Sequence, residues 1–548
     1  MTAVDERLEP LLEIDEIQGN ILGGFNKDHQ AILALRFAGD DAAIGAVRRW
    51  LLLLIPRITW AREVVQYKNT RRDVIGRTGA EPYMPVVWKN IAFTHRGLAK
   101  LTPTADQFTD VVFRAGLDAA ASARLGDPVT IGKRGHISTW VVGKPGEEPD
   151  MLLIIAADDA DQLAVEVQMH MASATAAGIV CSPCDVGHDL AHFTVDGVAF
   201  PRGREHFGFK DGISQPGIRG RTSADADIFL TPRIAGATSP DPDEPEFAQP
   251  GQPLICAGEF VLGYPRQSEA SPRRAVDPMP LASRDGASDP RAVAPWWARN
   301  GSFLVFRRLA QDVPAFNRFL ASEAGRLATL PDFSGITEDA LGALLVGRWR
   351  SGAPILRTPQ KDNPDLGKAT PANNAFDYAQ AADPADGFGS VPEDPLALTC
   401  PAAAHIRKVN PRAMSTDLGA PTRTLTRRIL RRGIPFGPPL PIGTTAEEPP
   451  QERGLLFLCY QASIAEQFEF LSANWANDTA KPFALSPPGG SGHDMIIGQA
   501  GDSLERFCLI GAAMEPVRTS ERWVTATGGG YFFAPSKTAL TTVLSRDS

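Results

Sequence analysis

The chain runs to 548 residues with 43% hydrophobic and 22% charged side chains, an ordinary globular balance with room for two domains or more. A formal net charge of −9 at pH 7 argues against a nucleic-acid partner, which demands a basic face. Six cysteines scattered over this length do not make a disulfide framework, and 50 glycines with 46 prolines predict long ordered loops.

The opening stretch, MTAVDERLEPLLEIDEIQGNILGG, is acidic and lacks the basic and apolar regions of a secretory signal. Trp50–Pro56 is much too short to span a membrane, and no longer apolar run occurs. A cytoplasmic protein with no membrane contact is therefore expected. Ala31–Phe37 reads as a strand and leads into a helical pattern with Ile44, Val47 and Leu51 at i, i+3 and i+7. Pro85–Thr94 reads as a further strand. Met151–Ala157 repeats the first design, followed by Leu163, Val167 and Met171 at i, i+4 and i+8.

Next come Cys181, Cys184, His188 and His192, the residue types of a zinc site in C-x2-C-x3-H-x3-H order. Fingers separate their two pairs by about twelve residues, so a chelate this compact is strained. The alternative is partly exposed thiols and surface histidines. HFGFKDGISQPG (His206–Gly217) then places one acid, Asp211, between Gly208 and Gly212, with Phe207 and Phe209 before it. Desolvation makes a charge costly there.

Ser239–Pro253 and Gln267–Pro295 are loop-like, with Gly258–Tyr264 between them as a candidate strand. Gly301–Leu309 is a third strand with a helix after it, started by Asp312 before Val313 and Pro314. The irregular run Thr358–Pro395 ends at CPAAAHIRKVNPR, where His405 follows three alanines that leave room beside the imidazole. A partly buried helix histidine is the plainer reading. RRILRRGIPFGPPLP holds Arg427, Arg428, Arg431 and Arg432, a solvated basic face or an arginine aimed into a pocket. Gly454–Tyr460 is the fourth strand. After it Ser463 and Glu466 form a capping box, and Phe468, Leu471 and Trp475 fall at i, i+3 and i+7.

Two strand–helix units per half, with a strand's worth of chain between them, fit βαββαβ used twice. No glycine-rich dinucleotide turn follows any of the strands, which argues against a doubly wound sheet. The expected fold is α+β: two ferredoxin-like domains, 1–235 and 236–548, with antiparallel sheets and peripheral helices. Such sheets offer edges and faces for pairing into a homo-oligomer.

Taken alone, Asp211, His405 and Arg431 are weak signals. Together they resemble the dye-decolorising peroxidases. GFKDG (Gly208–Gly212) is similar to that family's G-x-x-D-G signature, AAHIRKVNPR (Ala403–Arg412) to its proximal-histidine segment, and ILRRGIPFG (Ile429–Gly437) to its distal-arginine segment. IQGNIL, GEFVLGYP, NGSFLVFRRLAQDV, GRWRSGAP and RGLLFLCYQASI extend the likeness over most of the chain, closest to the longer members without an export signal.

The resemblance implies a haem peroxidase that reduces hydrogen peroxide and oxidises an organic electron donor such as a dye or phenolic compound. It implies one non-covalent haem b per chain, held in the C-terminal domain facing the inter-domain region, since no C-x-x-C-H attachment motif occurs. His405 would be the one protein ligand to iron, its second nitrogen held by a carboxylate or carbonyl. Asp211 would be the distal acid/base and Arg431 the stabiliser of developing charge. Gly212 lets the backbone pass close to the ring and Phe209 keeps water sparse. Leu455 and Phe457 line the distal pocket or serve as ordinary strand core. Arg407 and Arg348 are candidates to pair haem propionates. Trp349, Tyr460 and Trp475 are candidates for surface electron transfer, each with a core role as the alternative. The rival function is a haem-binding or haem-handling protein with little peroxidase turnover.

Overall fold

The computed structural model describes residues 5–182, 185–195, 197–225, 228–233, 245–285, 289–483 and 489–546. In the first half, strands β1 (His29–Arg36), β2 (Val87–Phe93), β3 (Met151–Ala157) and β4 (Asp185–His188) make one sheet. In the second half, β5 (Ser302–Gln311), β6 (Leu430–Arg431), β7 (Ile434–Phe436), β8 (Gly454–Gln461) and β9 (Val524–Ala534) make another. β6 and β7 act as one interrupted strand along β8. The strand order is β2-β3-β1-β4 in the first half and β9-β5-β8-β6/β7 in the second, the ferredoxin-like order each time. β1 and β3 run antiparallel from His29↔Ala157 to Leu35↔Met151, and β5 and β8 from Phe303↔Gln461 to Ala310↔Gly454.

The two sheets then close on each other. β9 meets β2 at Phe533↔Phe93, and β7 meets β4 at Phe436↔Gly187. Closure uses up the outer strands of both sheets, so the edges expected to pair with a second copy are satisfied within the chain. It also explains why the strands read as unbroken apolar runs: both faces are covered. Ile32, Ala34, Leu152, Ile154, Leu304, Phe306, Leu456, Leu458 and Phe532 fill the space between the sheets. Their strand neighbours Leu33, Leu35, Leu153, Val305 and Phe533 face helices instead.

Three of those helices start at an aspartate N-cap, of which Asp312 is the one expected from the sequence. In α1 (Asp41–Leu54), Asp40 accepts from the Ala43 N–H, and Ile44, Val47 and Leu51 are buried in the cluster that holds Leu33, Leu35 and Leu153. In α2 (Ala160–Ala176), Asp159 accepts from the Gln162 N–H. In α3 (Val313–Leu327), Asp312 accepts from the Ala315 N–H. Two expectations are corrected. Gly258–Tyr264 is not a strand: Ala257–Glu259 is a 3-10 turn, and buried Glu259 accepts from Arg266 and from the Gln267 N–H, pulling the chain out of extended form. Ile464–Ala476 winds as a π-helix, and only half of its capping box forms, because Glu466 turns to Arg427. The expected domain boundary at 235/236 lies outside the described residues.

On the second sheet, Arg307, Leu309, Leu455 and Phe457 point away from the barrel interior and line a cavity beneath α4 (Glu338–Val346), α5 (His405–Val409) and the π-helix. The first half reaches this cavity through Leu125, Asp127 and residues 205–216, so both halves line it. No described helix is long and apolar enough to cross a membrane.

Candidate active site

A strap, residues 205–216, carries Asp211 across the mouth of the cavity. Glu205 builds it, accepting from the Phe207 and Phe209 N–H groups at 2.9 Å each and from the Gln311 amide at 2.7 Å. Phe207 and Phe209 pack on Phe316 of α3 with ring centroids 4.4 and 6.5 Å apart. His206 Nε2 donates to the Phe436 carbonyl at 2.8 Å, tying the strap to β7. Gly208 sits at φ +91°, where a Cβ would come within 2.7 Å of Arg350 Nη1. Glycine is the residue that meets both demands.

Arg431 of β6 donates from Nη1 to Asp211 Oδ1 at 2.8 Å, and the Gly212 N–H reaches the same oxygen at 2.6 Å. Gln215 locks strap to strand: its amide donates to the Arg431 carbonyl at 3.2 Å and accepts from the Arg431 N–H at 3.3 Å. Gln215 lies inside the quoted ISQP, yet nothing about a glutamine in a loop announced this role. Burial pushes the Asp211 carboxyl up, but the Arg431 charge and the two hydrogen bonds outweigh it, so the acid is held below the ordinary carboxylate range.

His405 opens α5. Its Nδ1 donates to Asp494 Oδ2 at 2.7 Å, leaving Nε2 for a ligand, and the ring lines the cavity. Asp494 is completely buried and is oriented by the Ile496 and Ile497 N–H groups at 2.9 and 3.0 Å. Burial drives the imidazole pKa down, but the Asp494 charge and hydrogen bond more than reverse this and raise it. The sequence predicted a carboxylate or carbonyl here. Asp494, 89 residues away, bears no motif that would identify it.

The cavity, about 330 Å³, brings together Asp211, Arg431, His405, Phe209, Gly212, Leu455, Phe457 and Arg348. Arg407 is not among them. Two residues past His405 on a helix it points to a different side, where it is buried and bound to the Asp394 carboxylate at 2.8 Å, the Asp394 carbonyl at 2.6 Å and the Cys400 carbonyl at 2.8 Å. In its place the structure offers Arg412 and Arg428, both inside quoted motifs and both lining the cavity. Arg348 donates to the Gly352 and Asn373 carbonyls and to Asn374 Oδ1, and Arg412 to the Asn374 and Phe376 carbonyls and Asn374 Oδ1. All these acceptors are neutral. Arg428 Nε is buried with no partner. Burial and the neighbouring Arg412 pull Arg348 and Arg428 each down to about 9. A rim of arginines hydrogen-bonded by neutral groups around an apolar floor fits a flat ligand with carboxylates along one edge and a metal over His405 Nε2.

Other expected residues fall elsewhere. Trp349, Trp475 and Tyr460 are all buried, not on the surface: Trp349 Nε1 donates to the Thr358 carbonyl, Trp475 Nε1 to Asp417, and Tyr460 packs between the sheets. Cys184 lies outside the described residues. His188 Nδ1 shares a hydrogen bond with His29 Nδ1 at 2.8 Å, and His192 Nε2 one with Asp28 at 3.1 Å. Among the described residues no group of three or more potential ligands is placed to hold a metal ion.

Known proteins match along the whole length. A family profile described as "DyP dimeric alpha+beta barrel domain" matches residues 16–180, and one described as "Dyp-type peroxidase, C-terminal" matches residues 361–487. Dye-decolorizing peroxidase msp1 of Mycetinis scorodonius is 30% identical over 97% of this chain and 88% of its own. A dye-decolorizing peroxidase of Auricularia auricula-judae is 31% identical over 96% of this chain and 86% of its own. Among solved structures, an ancestral D-type dye decolorizing peroxidase superposes with a TM-score of 0.73 at 32% identity, covering 97% of this chain and 99% of the other. A dye-decolorizing peroxidase engineered in its heme pocket for asymmetric sulfoxidation superposes with a TM-score of 0.67 at 28% identity, covering 98% and 100%. With both halves matched and relatives this similar along nearly the full length, the chain belongs to the dye-decolorising peroxidase family and is a peroxidase of that type.

Proposed function

We propose that this peroxidase binds one non-covalent haem b in the cavity, with His405 as the iron ligand, Asp211 as the acid/base and Arg431 as the charge stabiliser. Its substrates are hydrogen peroxide and a dye or phenolic donor. One observation supports the reading: the Asp211–Arg431 pair and the His405–Asp494 pair face a single cavity whose rim arginines, Arg348, Arg412 and Arg428, make no ion pair among the described residues. With the chain divided at 235/236, the first part supplies the acid/base and the second the ligand and the arginine.

When bound, haem supplies two-electron reduction of peroxide and one-electron oxidation of donors. The chain's own groups do the rest. Arg431 and the Gly212 N–H occupy Asp211 Oδ1, which leaves Oδ2 to take a proton from one peroxide oxygen and return it to the departing one. Arg431 offsets the negative charge that develops between the two oxygens. Asp494 holds the His405 Nδ1–H and makes the imidazole a stronger donor through Nε2. Phe209, Leu455 and Phe457 give the cavity an apolar lining beside these charges. Arg348, Arg412 and Arg428 would hold the propionates.

The test is Asp211→Asn in haem-loaded protein, followed by stopped-flow mixing with peroxide. The reaction with peroxide should slow by about 10²–10⁴-fold while the Soret band is kept. An undiminished rate would remove Asp211 from the chemistry and favour a haem-handling role.

A further inference from the structure

The helix that presents His405 is five residues long and has no side-chain N-cap. A helix this short does not hold itself in place. Two consecutive buried cations do so instead. Arg407 anchors one side to residues 394–400. Lys408, three residues after His405, is completely buried and anchors another. An ammonium has three N–H groups, and each finds a backbone carbonyl: Asp478 at 2.8 Å, Lys481 at 2.7 Å and Gly492 at 2.6 Å.

These carbonyls lie on the two limbs of one loop. Residues 477–481 lead out and 490–494 return. The Gly492 N–H bonds the Thr479 carbonyl and the Asp494 N–H the Ala476 carbonyl, each at 3.0 Å. The returning limb ends on Asp494, whose carboxylate holds His405 Nδ1. Lys408 thus grips both limbs, with Gly492 only two residues from Asp494. A buried ammonium met only by neutral acceptors carries a heavy desolvation cost. A methionine or leucine would fill the space without that cost, so packing alone does not account for a lysine here.

We propose that Lys408 is a positioning residue of the peroxidase reaction. It staples the loop bearing Asp494 to the helix bearing His405 and so sets the strength of the His405–Asp494 hydrogen bond. The inference rests on His405 as the iron ligand. Lys408 lines no part of the cavity and touches neither peroxide nor donor. Its effect passes through the imidazole: a firmly held Nδ1–H makes Nε2 a stronger donor, and a slackened one makes it weaker.

The experiment uses haem-loaded Lys408→Met beside Asp494→Asn, His405→Ala and the parent. Lys408→Met should keep its haem, lower the iron–imidazole stretching frequency in resonance Raman and raise the iron reduction potential. Both shifts should share the direction of those in Asp494→Asn and be smaller. The rate with peroxide should fall about tenfold with the KM for the donor unchanged. A lower Tm with stretch and potential both at parental values would mean a merely structural lysine and overturn the proposal. Hydrogen exchange in the parent holoenzyme covers a variant that fails to fold: the Gly492 and Asp494 amides should exchange only when the whole molecule opens, and exchange by local opening overturns the staple. If His405→Ala retains the parental iron–imidazole band, the ligand assignment itself fails. If that band is lost there but sits at the parental frequency in Lys408→Met, only the staple fails.

Discussion

Asp211 keeps its negative charge at the mouth of the cavity because Arg431 stands against it. Burial alone drives the carboxyl upward, so removing the arginine exposes that tendency. In Arg431→Gln the acid limb of the pH–rate profile for peroxide should move to higher pH. The sign follows directly: the rate needs the carboxylate, and a raised pKa protonates it earlier as pH falls. Loss of charge stabilisation should also lower the plateau by about 10²–10³-fold. Stopped-flow rates from pH 3 upward test both. The rim arginines predict the opposite balance of stability and binding. Arg428 has a buried Nε with no partner, and burial depresses its pKa. Arg428→Met should therefore raise the urea midpoint of the haem-free protein while weakening haem retention, as measured by transfer to apomyoglobin. At this scale Asp211, His405 and Arg431 were legible as candidates because their three motifs together resemble one family's, and the structure brings them to one cavity. Arg407 was misjudged because sequence nearness to His405 is not nearness on a helix surface. Asp494, Arg412 and Arg428 acquire their roles only through contacts across the chain.

The elements show how local signals are kept or overruled. Asp312 marked its helix start correctly, since a cap is satisfied within four residues, and Asp40 and Asp159 cap two more helices in the same way. The Ser463/Glu466 box was overruled because Arg427 offers Glu466 a charged partner. Gly258–Tyr264 was overruled by Glu259, which organises a turn around itself. The strap is the element on which the site depends most. Its path requires a left-handed residue at Gly208 beside a pinned arginine: Arg350 donates to the Phe207 carbonyl and to Asp339 at 2.9 Å. Gly208→Ala should cost about 1–2 kcal/mol from the backbone conformation alone. It should also shift Asp211 relative to Arg431. The expected readout is a lower Tm and a slower reaction with peroxide at an unchanged Soret position. A variant with the parental rate would show that Asp211 tolerates displacement of the strap.

Across the whole molecule, two sheets share one barrel, and the strap is tied to its seam by His206. Burial holds that imidazole neutral and pulls it down to about 4. The unfolded chain, with a pKa near 6.5, binds the proton first. Stability is therefore full above about pH 6.5 and falls as pH drops toward 4, by up to about 3 kcal/mol for this residue. His170 is pulled down by burial to about 4 and acts in the same direction. His206→Gln keeps a donor for the Phe436 carbonyl and should lose less stability between pH 7 and pH 4 than the parent. Guanidinium midpoints at the two pH values check this; parallel losses would exclude His206 as a source of acid lability. By itself the sequence determined the four strand–helix units and their double use, because hydrophobic period, caps and strand length are local properties. It also brought Asp211, His405 and Arg431 forward as candidates, because their motifs are compact and together resemble one family's. Only the tertiary structure decided that the sheets close edge to edge, that Asp494 holds the histidine, and which arginines ring the cavity. Those pairings join residues tens to hundreds of positions apart, and their energies depend on burial and distance, which no local pattern records.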